Sequence, residues 1–237
     1  MGKNVAVVLA GGVGNRMGMA IPKQFLMLSD RTILEHSVDA FERNSMIDNI
    51  IIVANQAYIE DTKKIVERNS WCKVACVISG GKERYDSSLA AIQAAKELDA
   101  QNIVFHDAVR PLVSQRVITE SVEALNNFFA AGVAVPSVDT ILHVENGVIV
   151  SVPQREKLWR AQTPQSFKLS TIIEAYSRAL DDPEFKATDD CGVVMKYMPE
   201  VPVHIVKGDE SNLKLTYKED IEILELLLKR VNETTNC

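Results

Sequence analysis

Cysteine and histidine are scarce in this 237-residue sequence, and neither residue type forms a cluster. None of the four cysteines belongs to a Cys-x-x-Cys pair, which excludes the common zinc and redox motifs, so we expect reduced thiols. The four histidines lack the spacing of metal ligands, and we expect them to serve packing or the surface. These residues are Cys72, Cys76, Cys191, Cys237, His36, His106, His143 and His204.

Long apolar segments and an excess of positive charge are also absent. The first apolar run, residues 5–10, is too short for the core of a signal peptide, and no run approaches the length of a membrane-spanning helix. The formal net charge of −6 is unfavourable for general binding to nucleic acid or to a membrane surface. We therefore expect a cytoplasmic protein that binds neither, and an anionic ligand would require a few well-placed cations.

The composition is otherwise that of a globular protein, and segments typical of strands and helices alternate along the chain. We predict one domain, residues 1–237, of the α/β class: a Rossmann-like, mostly parallel sheet with helices on both faces. The predicted strands are residues 4–10, 49–54, 73–79, 102–108, 131–138 and 201–208, and the predicted helices are residues 31–43, 56–69, 87–98, 114–129, 168–180 and a last one from about 218. Thr32 and Thr216 have the spacing of capping boxes with glutamates three residues later. Ligands bind such sheets beyond the carboxyl ends of the strands.

The alternation of strands and helices breaks after residue 138, where apolar and polar residues alternate around Asn146-Gly147. A type I′ turn needs positive φ at both central positions, and Asn-Gly adopts it readily, so we predict a β-hairpin. We expect this hairpin to be an arm of about residues 139–155. Since an isolated hairpin is only marginally stable in water, it must pack on its own domain or on a second subunit. Trp159, just after the arm, is expected in the core.

The loop after the first predicted strand contains glycines, an arginine and a lysine, a combination typical of phosphate binding. It lacks the Gly-x-x-x-x-Gly-Lys-[Ser/Thr] pattern of a P-loop. A dinucleotide-binding loop of the form Gly-x-Gly-x-x-Gly would begin at Gly12 and Gly14, but Gly18 comes one residue late. The acidic residue that should end the second strand is also missing, because Glu35 lies in a predicted helix. An NAD(P)-dependent enzyme is therefore kept only as an alternative.

A longer loop, of the form Gly-Gly-x-Gly-x-Arg-Met-Gly followed by Pro-Lys, fits these residues better. Glycine amides can approach a base and its phosphates closely, because no Cβ intervenes. Arg16 can donate two N–H groups to phosphate oxygens, Lys23 adds a point charge, and Pro22 stiffens the approach to Lys23. We predict that both cations contact phosphate.

This loop and several later segments occur in an order that resembles one enzyme family. The segments are LAGGVGNRMG, IPKQFL, TILEHSV, GGKERYDSS, HDAVRP, VDTI, LWRAQTPQSF, ATDDCG and NLKLTYKEDI. Together they resemble the cytidylyltransferases that act on 2-C-methyl-D-erythritol 4-phosphate in the non-mevalonate isoprenoid pathway. The closely related ribitol-5-phosphate cytidylyltransferases share most of these segments.

The resemblance implies a reaction in which a phosphate oxygen of a polyol phosphate attacks the α-phosphorus of CTP and pyrophosphate leaves. A phosphate monoester has its second pKa near about 6 and is mostly dianionic at neutral pH, so no general base is needed. The enzyme must instead align two anions and neutralise their charge. By the resemblance, Arg16 and Lys23 stabilise the charge at the α-phosphorus. The open backbone that would hold CTP is that of Ala10, Gly11, Gly12 and Gly14.

A second segment, GGKERYDSS, suits recognition of the cytosine base. The amides of Gly80 and Gly81 can approach the ring, and the Ser87 hydroxyl can bond it, although Ser87 could instead be the N-cap of the next helix. Lys82 stands where the family often has an acidic residue, so its role is open. Asp107 ends a predicted strand and is our candidate ligand for a Mg²⁺ cofactor, with a helix or turn cap as the alternative.

Further residues are assigned by the resemblance alone. It places Arg110 near the substrate or the triphosphate, and Thr188 beside the substrate. It gives Lys214 the task of holding the attacking phosphate against the triphosphate. In the family the arm crosses to a partner subunit, where Thr140 and Arg155 meet the polyol phosphate, so a homodimer is implied.

Two polyol phosphates compete as the substrate. The segments HDAVRP, LWRAQTPQ and TDD favour 2-C-methyl-D-erythritol 4-phosphate, whereas LAGG and QTPQSF are frequent in ribitol-phosphate enzymes. We favour the former and keep ribitol 5-phosphate as the alternative. A non-catalytic nucleotide-binding module is an alternative of another class, but it could have lost Lys23, Lys214 or Asp107, and all three are present.

Overall fold

The computed structural model describes residues 2–12, 21–187 and 189–235, and the candidates Gly14, Arg16 and Thr188 lie outside these ranges. The strands are β1 (Lys3–Ala10), β2 (Met27–Leu28), β3 (Arg31–Thr32), β4 (Asn49–Ala54), β5 (Val74–Ser79), β6 (Ala100–Asp107), β7 (Ala130–Pro136), β8 (His143–Glu145), β9 (Val148–Ser151), β10 (Trp159–Lys168) and β11 (Val203–Lys207). The α-helices are α1 (Ile33–Glu42), α2 (Ile59–Asn69), α3 (Arg84–Glu97), α4 (Gln115–Glu123), α5 (Leu169–Leu180), α6 (Asp190–Tyr197) and α7 (Asp220–Thr235).

Seven strands form one sheet in the order β11-β7-β10-β6-β1-β4-β5. Strand β10 runs antiparallel to both of its neighbours, and the other neighbouring strands in this sheet run parallel. The pairs β2–β3 and β8–β9 form separate two-stranded sheets. The predicted α/β class with a mostly parallel sheet is confirmed.

The central strand β1 is buried on both faces, as its continuous apolar sequence predicts. Val5 and Val7 belong to a core that contains residues of α3, α5 and α6. Ala6 and Val8 belong to a second core on the opposite face, with residues of α1, α2 and α4. Burial of each of the three valine side chains contributes roughly 1.5–3 kcal/mol, so two filled cores stabilise the sheet from both sides. The prediction of helices on both faces is confirmed.

The two predicted capping boxes have different outcomes. At the start of α1 the Thr32 side chain accepts a hydrogen bond from the Glu35 amide, and Glu35 accepts one from the Thr32 amide, so this box is confirmed. The box predicted between Thr216 and Glu219 is wrong. The carboxylate of Asp220 accepts hydrogen bonds from the amides of Thr216 and Tyr217 at 2.7 and 2.8 Å. A charged acceptor at this position takes both donors, and α7 begins at Asp220.

Four elements were not predicted from the sequence: the two-residue strands β2 and β3, the long strand β10 and the helix α6. Strand β10 has polar residues and Pro164 at its centre, and its register against β7 shifts between Ala161 and Gln165. The polar side chains of Gln162, Thr163, Gln165 and Ser166 are all buried, so the usual alternation of apolar and polar residues is absent. Helix α6 has only eight residues and contains Gly192, which weakens a helical pattern.

The hairpin forms as predicted around Asn146-Gly147, which have φ angles of 49° and 80°. Strands β8 and β9 pair with each other, and the side chains of both are exposed. Trp159 is 44% exposed, so the prediction that it belongs to the core is wrong. It begins β10 at the base of the hairpin, where it pairs with Pro136 of β7.

Two predictions about the chain as a whole can be compared with the described part. None of the helices there combines the length and the apolar character that crossing a lipid bilayer requires. Cys72, Cys76 and Cys191 are free thiols, as predicted for these three cysteines.

Candidate active site

A cavity of about 400 Å³ lies at the carboxyl edge of the sheet, where β1, β5 and β6 end. Its wall is built from the chain segments that follow these strands, from the turn that contains Lys23, and from the segment before α7 that contains Lys214. The sheet order places β1 between β6 and β4, so the segments expected at this rim do meet there.

The first loop contributes backbone and one lysine to the described wall of the cavity. Ala10, Gly11 and Gly12 line it, and the Gln24 side chain donates a hydrogen bond to the Ala10 carbonyl at 2.7 Å. Lys23 is 8% exposed and also lines the cavity. Its ammonium donates to the carbonyl of Thr216, which ties this loop to the segment that contains Lys214.

Asp107 ends β6 and is surrounded by cations. Its carboxylate accepts a hydrogen bond from the Lys214 ammonium at 2.8 Å, and the Arg110 guanidinium lies 3.6 Å away. Burial alone would raise the pKa of Asp107, but Lys214, Arg84 and Arg110 lower this pKa to about 2. Asp107 is therefore a carboxylate at neutral pH, and it faces the cavity instead of capping a helix or turn.

A buried histidine lies beneath Asp107. The Asp107 amide donates to the Thr163 hydroxyl, which lies 2.9 Å from His106 Nδ1, and His106 Nε2 lies 3.0 Å from the Arg110 carbonyl. Burial lowers the pKa of His106 to about 4, so this ring is neutral at physiological pH. Both ring nitrogens are occupied, which leaves His106 a packing role, as sequence analysis expected.

Arg110 supports the site from below. Its guanidinium donates to the carbonyl of Asn212 at 2.8 Å and to that of Ala161 at 3.4 Å, besides facing Asp107. It is 9% exposed and is not among the described residues that line the cavity. The structure therefore gives Arg110 a supporting position, and the predicted contact with the substrate or triphosphate stays a prediction.

The segment after β5 packs tightly against the start of α3. A Cβ at Gly80 would lie 2.5 Å from the Ser87 hydroxyl, and one at Gly81 would lie 2.2 Å from Asp86 Cβ, so both positions require glycine. Ser87 is buried within α3, and the N-cap of this helix is Glu83, so the N-cap alternative for Ser87 is wrong. Gly81 and Ser87 line the cavity, as their predicted contact with a base requires.

Arg84, which was not predicted as a site residue, lines the same cavity. Its Nη1 donates to the carboxylate of Asp190 at 2.7 Å. Its position three residues before Ser87 could have identified it. In a helix that begins at Arg84, this spacing places both side chains on one face. Lys82 lines the cavity as well.

The candidates on and near the hairpin lie apart from this wall. Thr140 and Arg155 are exposed, and neither is among the described residues that line the cavity. Arg155 donates to the carbonyl of Val138 at 3.3 Å, which is a contact at the base of the hairpin. Within one chain the structure therefore does not bring these two residues to the site.

The side chains that line the cavity show whether it could bind a metal ion. The described residues contain no group of three or more His, Cys, Asp or Glu side chains that could hold a metal ion. Mg²⁺ is often bound by one or two carboxylates together with substrate phosphates, and Asp107 offers one ionised carboxylate to the cavity. The residues present fit a magnesium ion that is brought in with a phosphate ligand.

The charge of the cavity differs from that of the chain. Four cationic side chains and two carboxylates line the described part of its wall, although the whole chain has a net charge of −6. The cations are Lys23, Lys82, Arg84 and Lys214, and the carboxylates are Glu83 and Asp107. Such a concentration of positive charge beside open backbone suits a ligand with several phosphates.

Comparison with known proteins agrees with this geometry. The sequence profile of the 2-C-methyl-D-erythritol 4-phosphate cytidylyltransferase family matches residues 4–230. The chain belongs to this family. The family resemblance and the predicted fold are both confirmed by this match and by the solved structures described below.

Relatives of known name fall in the same family or close to it. The 2-C-methyl-D-erythritol 4-phosphate cytidylyltransferase of Thermobifida fusca is 48% identical over 230 residues, which cover 94% of this chain and 92% of that protein. A bifunctional ribulose 5-phosphate reductase/CDP-ribitol pyrophosphorylase of Haemophilus influenzae is 42% identical over 230 residues, covering 96% of this chain and 48% of that longer protein.

Solved structures of family members share the architecture. The 4-diphosphocytidyl-2C-methyl-D-erythritol synthase of Anaerococcus prevotii is 27% identical, with a TM-score of 0.84 and coverage of 96% of both chains. The cytidylyltransferase of Thermus thermophilus is 26% identical, with a TM-score of 0.75, over 97% of this chain and 100% of that one.

Proposed function

We propose that this family member transfers CMP from CTP to 2-C-methyl-D-erythritol 4-phosphate and releases pyrophosphate. The observation that carries the proposal is that Lys23, Lys214 and Asp107 line one cavity with a glycine-rich edge, where Lys214 donates a hydrogen bond to the Asp107 carboxylate. Two anions must approach each other in this reaction, and cations fixed in advance lower the cost of that approach.

In the proposed mechanism a phosphate oxygen of the polyol phosphate attacks the α-phosphorus of CTP. The new phosphorus–oxygen bond forms as the bond to the pyrophosphate oxygen breaks, and the leaving group departs on the opposite side. Lys214 holds the attacking phosphate against the triphosphate, while Lys23 and Arg16 stabilise the charge that develops at the α-phosphorus. The hydrogen bonds from Lys23 to the Thr216 carbonyl and from Lys214 to the Asp107 carboxylate hold both ammonium groups in place before substrate binds.

The mechanism uses no general base. The attacking phosphate is already dianionic at neutral pH, since its second pKa lies near about 6. His106 is the histidine nearest to Asp107, but it is fully buried and both of its ring nitrogens are occupied. Charge neutralisation and alignment are therefore the sources of the rate.

Asp107 would hold a Mg²⁺ ion in this proposal. The ion would neutralise phosphate charge when bound, and the low pKa of Asp107 keeps the carboxylate ready to bind it. The nucleotide would lie along Ala10, Gly11, Gly12 and Gly14, with its base beside Gly80, Gly81 and Ser87. Thr188 would contact the polyol phosphate, with Arg110 as a supporting residue.

The hairpin completes the proposal as a dimer arm over about residues 139–155 of the domain. Val148, Ile149, Val150 and Val152 are all more than half exposed, and such an apolar patch is unusual on the surface of a monomer. A second copy of the chain would cover it and would receive Thr140 and Arg155 at its own cavity. The three free cysteines are compatible with a cytoplasmic location, which we also propose.

The dimer can be tested with Ile149→Asp, which places a charge in the patch. Sedimentation equilibrium should show a dimer for the native chain and a weaker dimer for the variant. A matched charge on an exposed helix face, Lys64→Asp on α2, should leave the dimer intact. A native monomer at micromolar concentration would contradict this part of the proposal.

The substrate is tested by pyrophosphate release with CTP, Mg²⁺ and each polyol phosphate separately. The proposal predicts efficient turnover with 2-C-methyl-D-erythritol 4-phosphate. A CDP-ribitol activity is the second candidate, because the Haemophilus influenzae relative with that activity in its name is 42% identical. Efficient turnover with ribitol 5-phosphate alone would replace the substrate, and no turnover with either would remove the transferase proposal.

A non-catalytic nucleotide-binding module would give a different result in the same samples. CTP with Mg²⁺ would raise the melting temperature in a thermal unfolding assay, but no pyrophosphate would appear. An NAD(P)-dependent enzyme would be stabilised by NAD(P) instead, which the transferase proposal does not predict.

A further inference from the structure

Arg84 is a cation of the cavity that the proposed mechanism does not use. It lies in the first turn of α3, and its side chain is 29% exposed. Asp190, its partner, begins α6 and is completely buried. The pair joins two helices that are far apart in sequence, and it does so at the wall of the cavity.

The carboxylate of Asp190 is held through both oxygens. One accepts the hydrogen bond from Arg84 Nη1, and the other accepts one from the Tyr176 hydroxyl at 2.7 Å. The amide of Asp190 donates to the Gln165 side chain of β10 at 3.0 Å, so the start of α6 is also fixed to the sheet. The orientation of the Arg84 guanidinium is therefore determined by a buried network.

The guanidinium keeps donors that this network does not use. Arginine has five N–H donors, and the hydrogen bond from Nη1 to Asp190 is the one found for Arg84 among the described residues. Burial alone would lower the pKa of Arg84, but the nearby carboxylates of Asp190 and Asp107 raise it, so the group stays charged. Arg84 and Asp107 line the same cavity, so this charge borders the space where phosphates are expected.

A buried ion pair contributes little to stability on its own, because removing two charges from water offsets most of their attraction. If the pair served only to join α3 and α6, two apolar residues could do so equally well. A guanidinium that is oriented by a carboxylate and still lines an anion-binding cavity is instead arranged as a ligand-binding group.

We propose that Arg84 donates hydrogen bonds to a phosphate of the reacting substrates, and that Asp190 and Tyr176 are positioning residues that hold Arg84 for this contact. The inference rests on the proposed transferase function and adds a third described cation to Lys23 and Lys214. The phosphate could belong to CTP or to the polyol phosphate, and the kinetic constants for the two substrates distinguish these sources.

The direct test compares Arg84→Gln and Arg84→Lys in steady-state kinetics with both substrates varied. We expect Arg84→Gln to lower kcat/KM by about 100-fold, because one preorganised charged donor is lost. Arg84→Lys should recover part of this loss, since it keeps the charge but lacks the planar fork. A rise in KM for CTP alone would assign the contact to the nucleotide, and a rise for the polyol phosphate alone would assign it to the acceptor.

A matched control is Arg178→Gln on α5, the helix that contains Tyr176. Arg178 forms ion pairs with Glu174 and Glu200 at the surface and is not among the described residues that line the cavity. Its replacement should leave kcat/KM unchanged. Melting temperatures of all variants identify any variant that has lost its fold.

The positioning role is tested by a double-mutant cycle. Tyr176→Phe removes only the hydroxyl that orients Asp190, and it should lower kcat/KM about tenfold in the native background. The same change should have no further effect when Arg84 is already Gln, because its effect acts through Arg84. Equal effects in both backgrounds would show that Tyr176 serves only the fold.

Two results separate this inference from the proposed function. If the native chain catalyses transfer but Arg84→Gln retains full kcat/KM for both substrates, the inference is overturned and the function stands. If the native chain shows no transfer, calorimetric titrations with CTP and Mg²⁺ and with each polyol phosphate still apply. Unchanged affinities for all of these ligands in a folded Arg84→Gln variant then overturn the inference.

Discussion

The cavity and the hairpin use charged and apolar side chains in opposite ways. In the cavity, Lys23, Arg84 and Lys214 each have a partner within the same chain, and those partners are largely buried or belong to the backbone. On the hairpin, valine and isoleucine side chains are exposed, and the hydrogen bond found for Arg155 among the described residues is with a backbone carbonyl at the base. One chain therefore holds the cations of the described cavity in place, whereas the exposed hairpin is the basis of our proposal of a dimer.

Among single substitutions in the cavity, Lys214→Gln should lower the rate of transfer the most. The variant loses a charged donor that is already in place beside Asp107, so kcat should fall about 10²–10³-fold. Stopped-flow or steady-state pyrophosphate release measures the effect. Lys64→Gln, which removes an exposed lysine of α2, should retain native kcat. A folded Lys214→Gln enzyme with native kcat would show that this lysine is not needed.

The buried His106 beneath the cavity should make the free energy of unfolding depend on pH, an effect that the exposed hairpin cannot produce. The pKa of His106 is about 4 in the folded chain and near 6.5 when unfolded. Between about pH 6.5 and 4, the unfolded chain therefore binds a proton that the folded chain does not. The free energy of unfolding should fall across this window as the pH is lowered, by up to about 3 kcal/mol.

Urea unfolding at pH 7.0 and pH 4.8 measures this loss. Asp107 and Glu35, whose pKa values are lowered to about 2, contribute stability that is lost mainly below about pH 4.5, so these two carboxylates contribute little to the loss in this interval. His106→Gln should show a smaller loss between the two pH values. An equal loss in native and variant chains would contradict the assignment to His106.

Arg155→Ala tests whether the hairpin contributes to substrate binding, and it has the smallest expected effect of these variants. If Arg155 meets the polyol phosphate at the cavity of a partner, its removal should raise KM for that substrate about tenfold, or about 1.4 kcal/mol. KM for CTP should change little. Arg43→Ala, at an exposed position after α1, is the matched control. An effect on CTP instead of the polyol phosphate would mean that the hairpin serves another purpose.

Much of the fold could be predicted because local patterns and tertiary structure agree. Strands β1 and β4 are continuous apolar runs that the sheet buries on both faces, and Asn146-Gly147 has the backbone that its residues favour. Strand β10 could not be predicted in this way. Gln162, Thr163 and Gln165 are buried there because partners distant in sequence satisfy them, and no local pattern encodes such partners.

The candidate site also contains residues that short motifs predict and residues that depend on partners distant in sequence. Lys23, Asp107 and Lys214 belong to short motifs, and the structure brings all three to one cavity. Arg84 was missed because its orientation depends on a hydrogen bond to Asp190, which lies 106 positions later in the chain. The position of Arg110 could not be predicted from the sequence either, because its guanidinium donates to carbonyl groups that come together only after folding.

The central claim is that cations fixed around the glycine loop, and not a catalytic base, provide the rate of transfer. The most direct test is the single-turnover rate of the double variant Arg16→Gln/Lys23→Gln, measured with saturating CTP, Mg²⁺ and polyol phosphate. We predict a rate at least 10³-fold below that of the native chain, with the melting temperature retained. Transfer at the native rate in the folded double variant would contradict the claim.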